Sequence, residues 1–230
     1  MTQLTVEGSV ALVTGANRGL GKAFARALLD AGAAKVYAAA RDVSTIADPD
    51  VVPVALDVTD HAQVAKVAEE LGDVQIVINN AGVASGLTAT GGQDLDAFRA
   101  EFEVNYFGLV AVARAFAPVV ARNGGGAIVN MLSALSWATF ESTANYSATK
   151  AAGWAYTNGL RQSLADQGTL VVAVHAGYID TDMVASIDAP KIRPQDVARQ
   201  VVEGLDAGAE EVLADDVSRF AKASLAGAAA

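Results

Sequence analysis

Cysteine is absent from these 230 residues, and histidine occurs only as His61 and His175. Disulfides and thiolate catalysis are thereby excluded. A zinc site built on Cys and His ligands is disfavoured, and no metal is expected. Positive charge is also scarce: 16 Lys and Arg stand against 26 Asp and Glu, a formal net charge of −10. A chain without a basic face repels polyanions, so no nucleic-acid partner is expected. The N-terminal MTQLTVEGS lacks the charged-then-apolar pattern of a signal peptide, and no uninterrupted apolar run reaches membrane-spanning length. A cytoplasmic protein with no membrane partner is the expectation.

What is present is a dense apolar pattern. Hydrophobic residues make up 52% of the chain and aromatics only 6%, so Ala and Val dominate, a composition suited to close packing of helices on a buried sheet. Short apolar runs at 9–14, 35–40, 51–56, 74–79, 126–131, 170–175 and 211–214 read as strands. Helical patterns lie between them, near 19–31, 60–71 (Asp60 as N-cap), 94–122, 143–167 and 194–207, with a fraying helix over 217–230. Strands apolar on both faces, alternating with helices, predict an α/β fold: one doubly wound parallel sheet covered on both sides, in a single domain spanning 1–230.

The first strand runs directly into Thr14–Gly21, TGANRGLG, which opens a helix. Glycines there let a backbone approach a dinucleotide pyrophosphate, and the helix start supplies N–H donors and a positive dipole end. This points to a cofactor cradle at Gly15, Asn17, Arg18, Gly19, Leu20 and Gly21. A glycine cluster alone also fits a plain strand-to-helix turn.

The rest of the chain resembles the short-chain dehydrogenase/reductase family in the same order. After the T-G-x-x-x-G-x-G turn come Asn79, Asn80, Ala81 and Gly82 (NNAG) at the end of the fourth strand, and Asn105 in EVNYFG. Ser133 follows the fifth strand, and Tyr146 and Lys150 form Y-x-x-x-K. The resemblance runs from about Ser9 to Met183. It implies a Rossmann fold and hydride transfer between a nicotinamide and a carbonyl or alcohol carbon. It makes Tyr146 the general acid/base and assigns Lys150 to lowering the Tyr pKa and holding the nicotinamide ribose. Ser133 would donate to the substrate oxygen, and Asn105 would hold a relay water. It further implies cofactor contacts from Asp57 and Val58, from Asn80, Ala81 and Gly82, and from Gly177, Ile179 and Thr181. Asp57 equally suits helix initiation.

The second strand ends Ala38-Ala39-Ala40-Arg41 with no acid at its tip. An acid there grips the ribose hydroxyls of NAD, whereas an arginine accommodates the extra phosphate of NADP. Arg41, with Arg18 as a second cation, therefore predicts NADP(H) as the cofactor. A lid over 178–192 is expected, with Trp137, Phe140, Tyr178 and Met183 lining an apolar substrate pocket beside Ser133 and Tyr146, or else packing against neighbouring helices or subunits. The family's usual proline after the sixth strand is replaced by Ala176, which predicts a looser loop. Three functions compete: reduction of small ketones and aldehydes (or oxidation of secondary alcohols), reduction of 3-oxoacyl thioesters, and non-catalytic NADP binding. The resemblance also implies a homodimer or homotetramer through the helices holding Asn105 and Tyr146.

Overall fold

The structure, a computed structural model, describes residues 5–91 and 94–227. Seven parallel strands form one sheet: β1 (Val10–Thr14), β2 (Lys35–Ala40), β3 (Val52–Ala55), β4 (Ile76–Asn79), β5 (Gly126–Met131), β6 (Thr169–His175) and β7 (Glu211–Leu213). Their spatial order is β3-β2-β1-β4-β5-β6-β7. The chain thus winds outward from β1 in one direction, then restarts beside it with β4 and winds in the other. That reversal is the switch point at which open α/β sheets bind ligands, beyond the carboxyl ends of the strands.

Both faces of the sheet are covered. One carries α1 (Gly19–Asp30) and α6 (Pro194–Asp206), whose Phe24, Leu28, Val201 and Leu205 are buried against Val13, Ile78 and Val129. On the other face lie α2 (His61–Glu70), α4 (Leu109–Arg122) and α5 (Ala144–Leu164), which bury Val64, Val112, Phe116 and Leu160 against Leu12, Val77 and Ile128. Each fully buried side chain of this size contributes about 1.5–3 kcal/mol. Asp60 caps α2 as expected, accepting from the Gln63 N–H at 2.9 Å. A final helix, α7 (Asp216–Gly227), follows β7; the end of the predicted C-terminal helix, 228–230, lies outside the described residues.

The long helix predicted near 94–122 is interrupted. It consists of α3 (Leu95–Phe102), a π-helical stretch Glu103–Gly108 and α4. π-turns are rare and cluster at functional sites, and this one carries Asn105. Within the 28-residue span Leu95–Arg122, one 18-residue window reaches a mean hydropathy of 1.6, enough by length and composition alone to cross a membrane. Half of that apolar window is buried inside the protein, as a core helix requires.

Candidate active site

Every predicted motif emerges at the carboxyl edge of the sheet. The turns after β1 and β4 are clipped together by Thr14, whose hydroxyl accepts from the Asn80 and Ala81 N–H groups, both at 3.0 Å, and faces the Ile78 carbonyl at 3.3 Å. Asn80 Nδ2 returns the contact, donating to the Thr14 carbonyl (2.9 Å) and the Gly15 carbonyl (3.3 Å). Gly15 sits at φ +65°, where side chains are disfavoured. A Cβ on Gly21 would lie 2.1 Å from the Gly15 oxygen, so the third glycine is demanded by the closeness of turn and helix. Asn80 thus braces the cradle. Leu20 is buried in the core, which leaves only its backbone to face a ligand.

The start of α1 fits a pyrophosphate. Arg18 at the N-cap provides no side-chain cap, and no acid stands in the first turn. Helix N–H groups left in this condition favour an anion. Toward the β2 end, Arg41 is exposed, and Asp42 turns aside to accept from the Ser44 N–H and hydroxyl (2.9 and 2.7 Å). Asn17 donates to the Thr45 hydroxyl at 3.1 Å. Arg18 does not stand free: it pairs with Asp182 at 3.1 Å, with both side chains largely exposed. Asp57 accepts from the Thr59 N–H and hydroxyl, and these bonds, aided by Arg41, hold its carboxyl below the usual range. Val58 is buried, packed where a Gly108 side chain would collide with it.

The four predicted catalytic residues come from three elements: Asn105 from the π-turn, Ser133 from the β5 exit, and Tyr146 and Lys150 from the first turns of α5. Lys150 Nζ lies 5.5 Å from the Tyr146 ring centroid and donates to the Met131 carbonyl at 2.9 Å. Gly82 fits among them; a Cβ there would sit 3.3 Å from Asn105 Oδ1 and 3.7 Å from Lys150 Nζ. Asn105 spends its amide on the protein: Oδ1 accepts from the Val83 N–H (2.8 Å), while Nδ2 donates to the Val83 carbonyl (2.8 Å) and the Thr149 hydroxyl (3.1 Å). It clasps the loop after β4 to α5. In the protein alone, burial and Glu101 push the Tyr146 phenol up to about 12, with the Ser133 hydroxyl acting the other way. Burial lowers Lys150 to about 8, opposed by Glu101.

The lid segment closes on itself at its base: the Ile192 N–H donates to the Tyr178 carbonyl and the Asp180 N–H to the Ile192 carbonyl, both at 2.9 Å. Ala176, in place of the proline, sits in a bonded segment. It is buried, its carbonyl accepts from the Ala134 N–H at 2.9 Å, and the next N–H, of Gly177, donates to Asp215 at 2.7 Å. Thr181 packs against Gly19, bringing lid and glycine turn together, and its hydroxyl bonds the Ile179 carbonyl at 3.2 Å. Among the predicted pocket residues, Phe140 and Met183 are exposed and Tyr178 is half-buried. Trp137 packs inward instead, stacked on His175 (3.9 Å between centroids) and edge-on to Trp154 (5.9 Å).

The model of the family described as short chain dehydrogenase matches residues 9–191. The chain belongs to this family. A solved short chain dehydrogenase from Burkholderia cenocepacia J2315, in complex with NADP, is 42% identical and superposes with a TM-score of 0.93, covering 97% of this chain and 94% of that one. A curated relative, an uncharacterized oxidoreductase of Staphylococcus aureus (strain USA300), is 34% identical over 219 residues, 89% of this chain and 93% of its own. A 3-ketoacyl-(acyl-carrier-protein) reductase from Brucella melitensis, complexed with NADH, is 26% identical with a TM-score of 0.83, over 91% of this chain and 97% of that one.

In this short-chain dehydrogenase, sequence reasoning missed several residues around the site. Glu101, buried within the catalytic group, stands four residues before Asn105, and that helical spacing places both on one face. Asn145, immediately before Tyr146, is buried and bonded to Glu101 at 2.6 Å. Asp215 grips Gly177 from the start of α7; nothing in its local sequence announces that contact.

Proposed function

We propose that the chain is an NADP(H)-dependent oxidoreductase that reduces a ketone or aldehyde to the alcohol, or runs the reverse. The observation carrying this reading is the convergence of Ser133, Tyr146 and Lys150 beside an uncapped, glycine-built helix start. Arg41, exposed at the end of β2 where no acid ends the strand and Asp42 turns to Ser44, supports the phosphate-bearing dinucleotide over NAD. The backbone of Gly15–Gly21, Arg41 and Lys150 would hold that cofactor, which supplies the hydride when bound.

The side chains then handle the oxygen. The Ser133 hydroxyl donates to the carbonyl oxygen, where negative charge develops as the carbon is reduced. Tyr146 delivers its phenolic proton to that oxygen, so the carbonyl gains one hydride and one proton and leaves as the alcohol. A phenol held up to about 12 keeps its proton at neutral pH and is poised to donate once charge builds on the substrate. The Lys150 ammonium, beside the ring, offsets the phenolate left behind.

The substrate favoured is a small, free carbonyl compound. The segment 83–91, after Gly82, carries no Arg or Lys to receive an acidic carrier protein, which counts against a carrier-bound thioester. All four catalytic residues stand, which counts against a non-catalytic dinucleotide binder. The reading is tested by a panel of ketones, aldehydes and secondary alcohols assayed with NADPH, NADH and their oxidised forms. Turnover of at least one free carbonyl with NADPH is expected; turnover of carrier-bound thioesters alone would overturn the substrate assignment.

A further inference from the structure

Glu101 is the one buried carboxylate in the catalytic group, and the mechanism above does not use it. It is 1% exposed, on the last turn of α3. Both oxygens accept: Oε1 from the Ser85 N–H at 2.8 Å and Oε2 from Asn145 Nδ2 at 2.6 Å. The Asn145 amide also reaches the Phe98 carbonyl at 3.3 Å, and a carbonyl only accepts, which fixes that nitrogen as the donor. The Asn145 N–H points to the Leu87 carbonyl at 3.5 Å. One side chain therefore ties three segments: α3, the loop following Gly82, and the residue that precedes Tyr146.

We propose that Glu101 is a positioning residue of this reaction: an acceptor-only buried anion that, bonded to Asn145, sets the start of α5, where Tyr146 stands, and serves from there as counter-charge to Lys150, five residues further along the same helix. The inference rests on the tetrad reading of the site. A neutral amide of the same shape replaces it imperfectly: glutamine would aim a donor either at the buried Asn145 Nδ2 or at the part-buried Ser85 N–H. The charge also has a direction of action. Glu101 raises the pKa of both Tyr146 and Lys150, and burial of Lys150 pulls against it. Without the anion, Lys150 loses its proton at lower pH, and with it the positive charge beside the phenol. Among the described residues, Arg99 on the same helix is exposed and paired with Asp96, and Glu103 in the π-turn is exposed; from β6, the His175 imidazole is influenced by the Lys150 charge.

The test compares Glu101→Gln, which keeps shape and removes charge, with Glu101→Asp, which keeps charge and shortens reach. The first readout needs no cofactor: the 13Cε signal of Lys150, assigned by its loss in Lys150→Arg, is titrated by NMR in the free protein. The wild-type signal is expected to titrate at about 8. In Glu101→Gln it moves about one pH unit lower, the usual size for removing a charge beside a buried group, and in Glu101→Asp it stays in place. The second readout is the pH profile of kcat/KM for carbonyl reduction, whose alkaline limb is expected to follow the NMR shift. Glu101→Asp lowers kcat about tenfold through misplacement of Tyr146, with KM for NADPH changed less than about twofold. An unmoved Lys150 signal in folded Glu101→Gln overturns the counter-charge role, whatever the enzyme reduces. Should Glu101→Gln fail to fold, Glu101→Asp decides: wild-type kcat overturns the positioning role, and lowered kcat with the limb in place supports it. Failure of the reductase reading shows separately, as wild-type protein inactive on every carbonyl while its Lys150 titration still responds to Glu101.

Discussion

Substitution of Gly21 by alanine tests whether the cradle depends on close contact between the glycine turn and α1. The added Cβ would lie 2.1 Å from the Gly15 oxygen, 2.7 Å from the Gly15 carbonyl carbon and 2.6 Å from Asn80 Nδ2, where ordinary contact begins at 3.4 Å. Two of those atoms are backbone, so relief requires α1 and the turn to part by more than an ångström. Asn80 would then lose its bonds to the Thr14 and Gly15 carbonyls. Overpacking of this kind costs about 1–3 kcal/mol, and the lost side-chain bonds add about 1 kcal/mol. A total near 3 kcal/mol corresponds to a fall in Tm of roughly 10 °C in a domain of this size. The same displacement moves the N–H groups that face the pyrophosphate, so NADPH affinity is expected to drop at least about tenfold. Thermal unfolding with and without NADPH, and titration of nicotinamide fluorescence, give both quantities. A variant with wild-type Tm and wild-type affinity would refute the packing argument.

Arg41→Ala is expected to weaken NADPH binding about tenfold or more while leaving NADH binding nearly unchanged, because the guanidinium serves the extra phosphate alone; equal losses for both cofactors would contradict the assignment. His175 bears on acid stability. It is fully buried, and its pKa is lowered from 6.5 to about 4 by burial, with Lys222 and Lys150 adding to the effect and the Ser133 carbonyl opposing it. The unfolded chain takes up a proton near 6.5 that the fold refuses until about 4, so stability is lost as pH falls through that window, by about 3 kcal/mol. Urea midpoints measured from pH 7 to 4 should fall less steeply in His175→Phe; identical slopes would count against the buried neutral imidazole. The outer faces of α4 and α5 leave a groove of about 460 Å³ lined by Arg114, Tyr156, Leu160 and Leu164. Association of copies through this face predicts a dimeric or tetrameric mass by light scattering at micromolar concentration, and a monomer there would refute it.

The sheet was legible in the sequence because buried parallel strands are written as unbroken apolar runs. Lys35–Ala40 and Gly126–Met131 match to the residue, and the others differ only by a residue or two at their ends. The candidate catalytic set could be named because each member belongs to a motif of fixed spacing. What lay between motifs was not legible. The π-turn at Glu103–Gly108 lies between two helical stretches, and no residue type in EVNYFG announces it. Glu101 carries a charge, and charged residues read as surface unless their partners are known; its partners, Ser85 and Asn145, are 16 and 44 residues away. The upward push on Tyr146 in the protein alone was hidden for the same reason. The lysine four residues on was visible, whereas burial and the Glu101 charge arise only in the fold. At Ala176 a missing proline suggested looseness; the bonds that Ala134 and Asp215 make there come from distant segments and were not legible in the local sequence.

The central claim is that Tyr146 delivers the proton as hydride reaches a carbonyl carbon. It is tested most directly by single-turnover reduction in Tyr146→Phe, followed by the absorbance of the reduced nicotinamide with a ketone that the wild-type protein turns over. The account predicts a rate lower by about 10²–10⁴-fold, with NADPH affinity preserved. A phenylalanine variant that reduces the same ketone at the wild-type rate would contradict it.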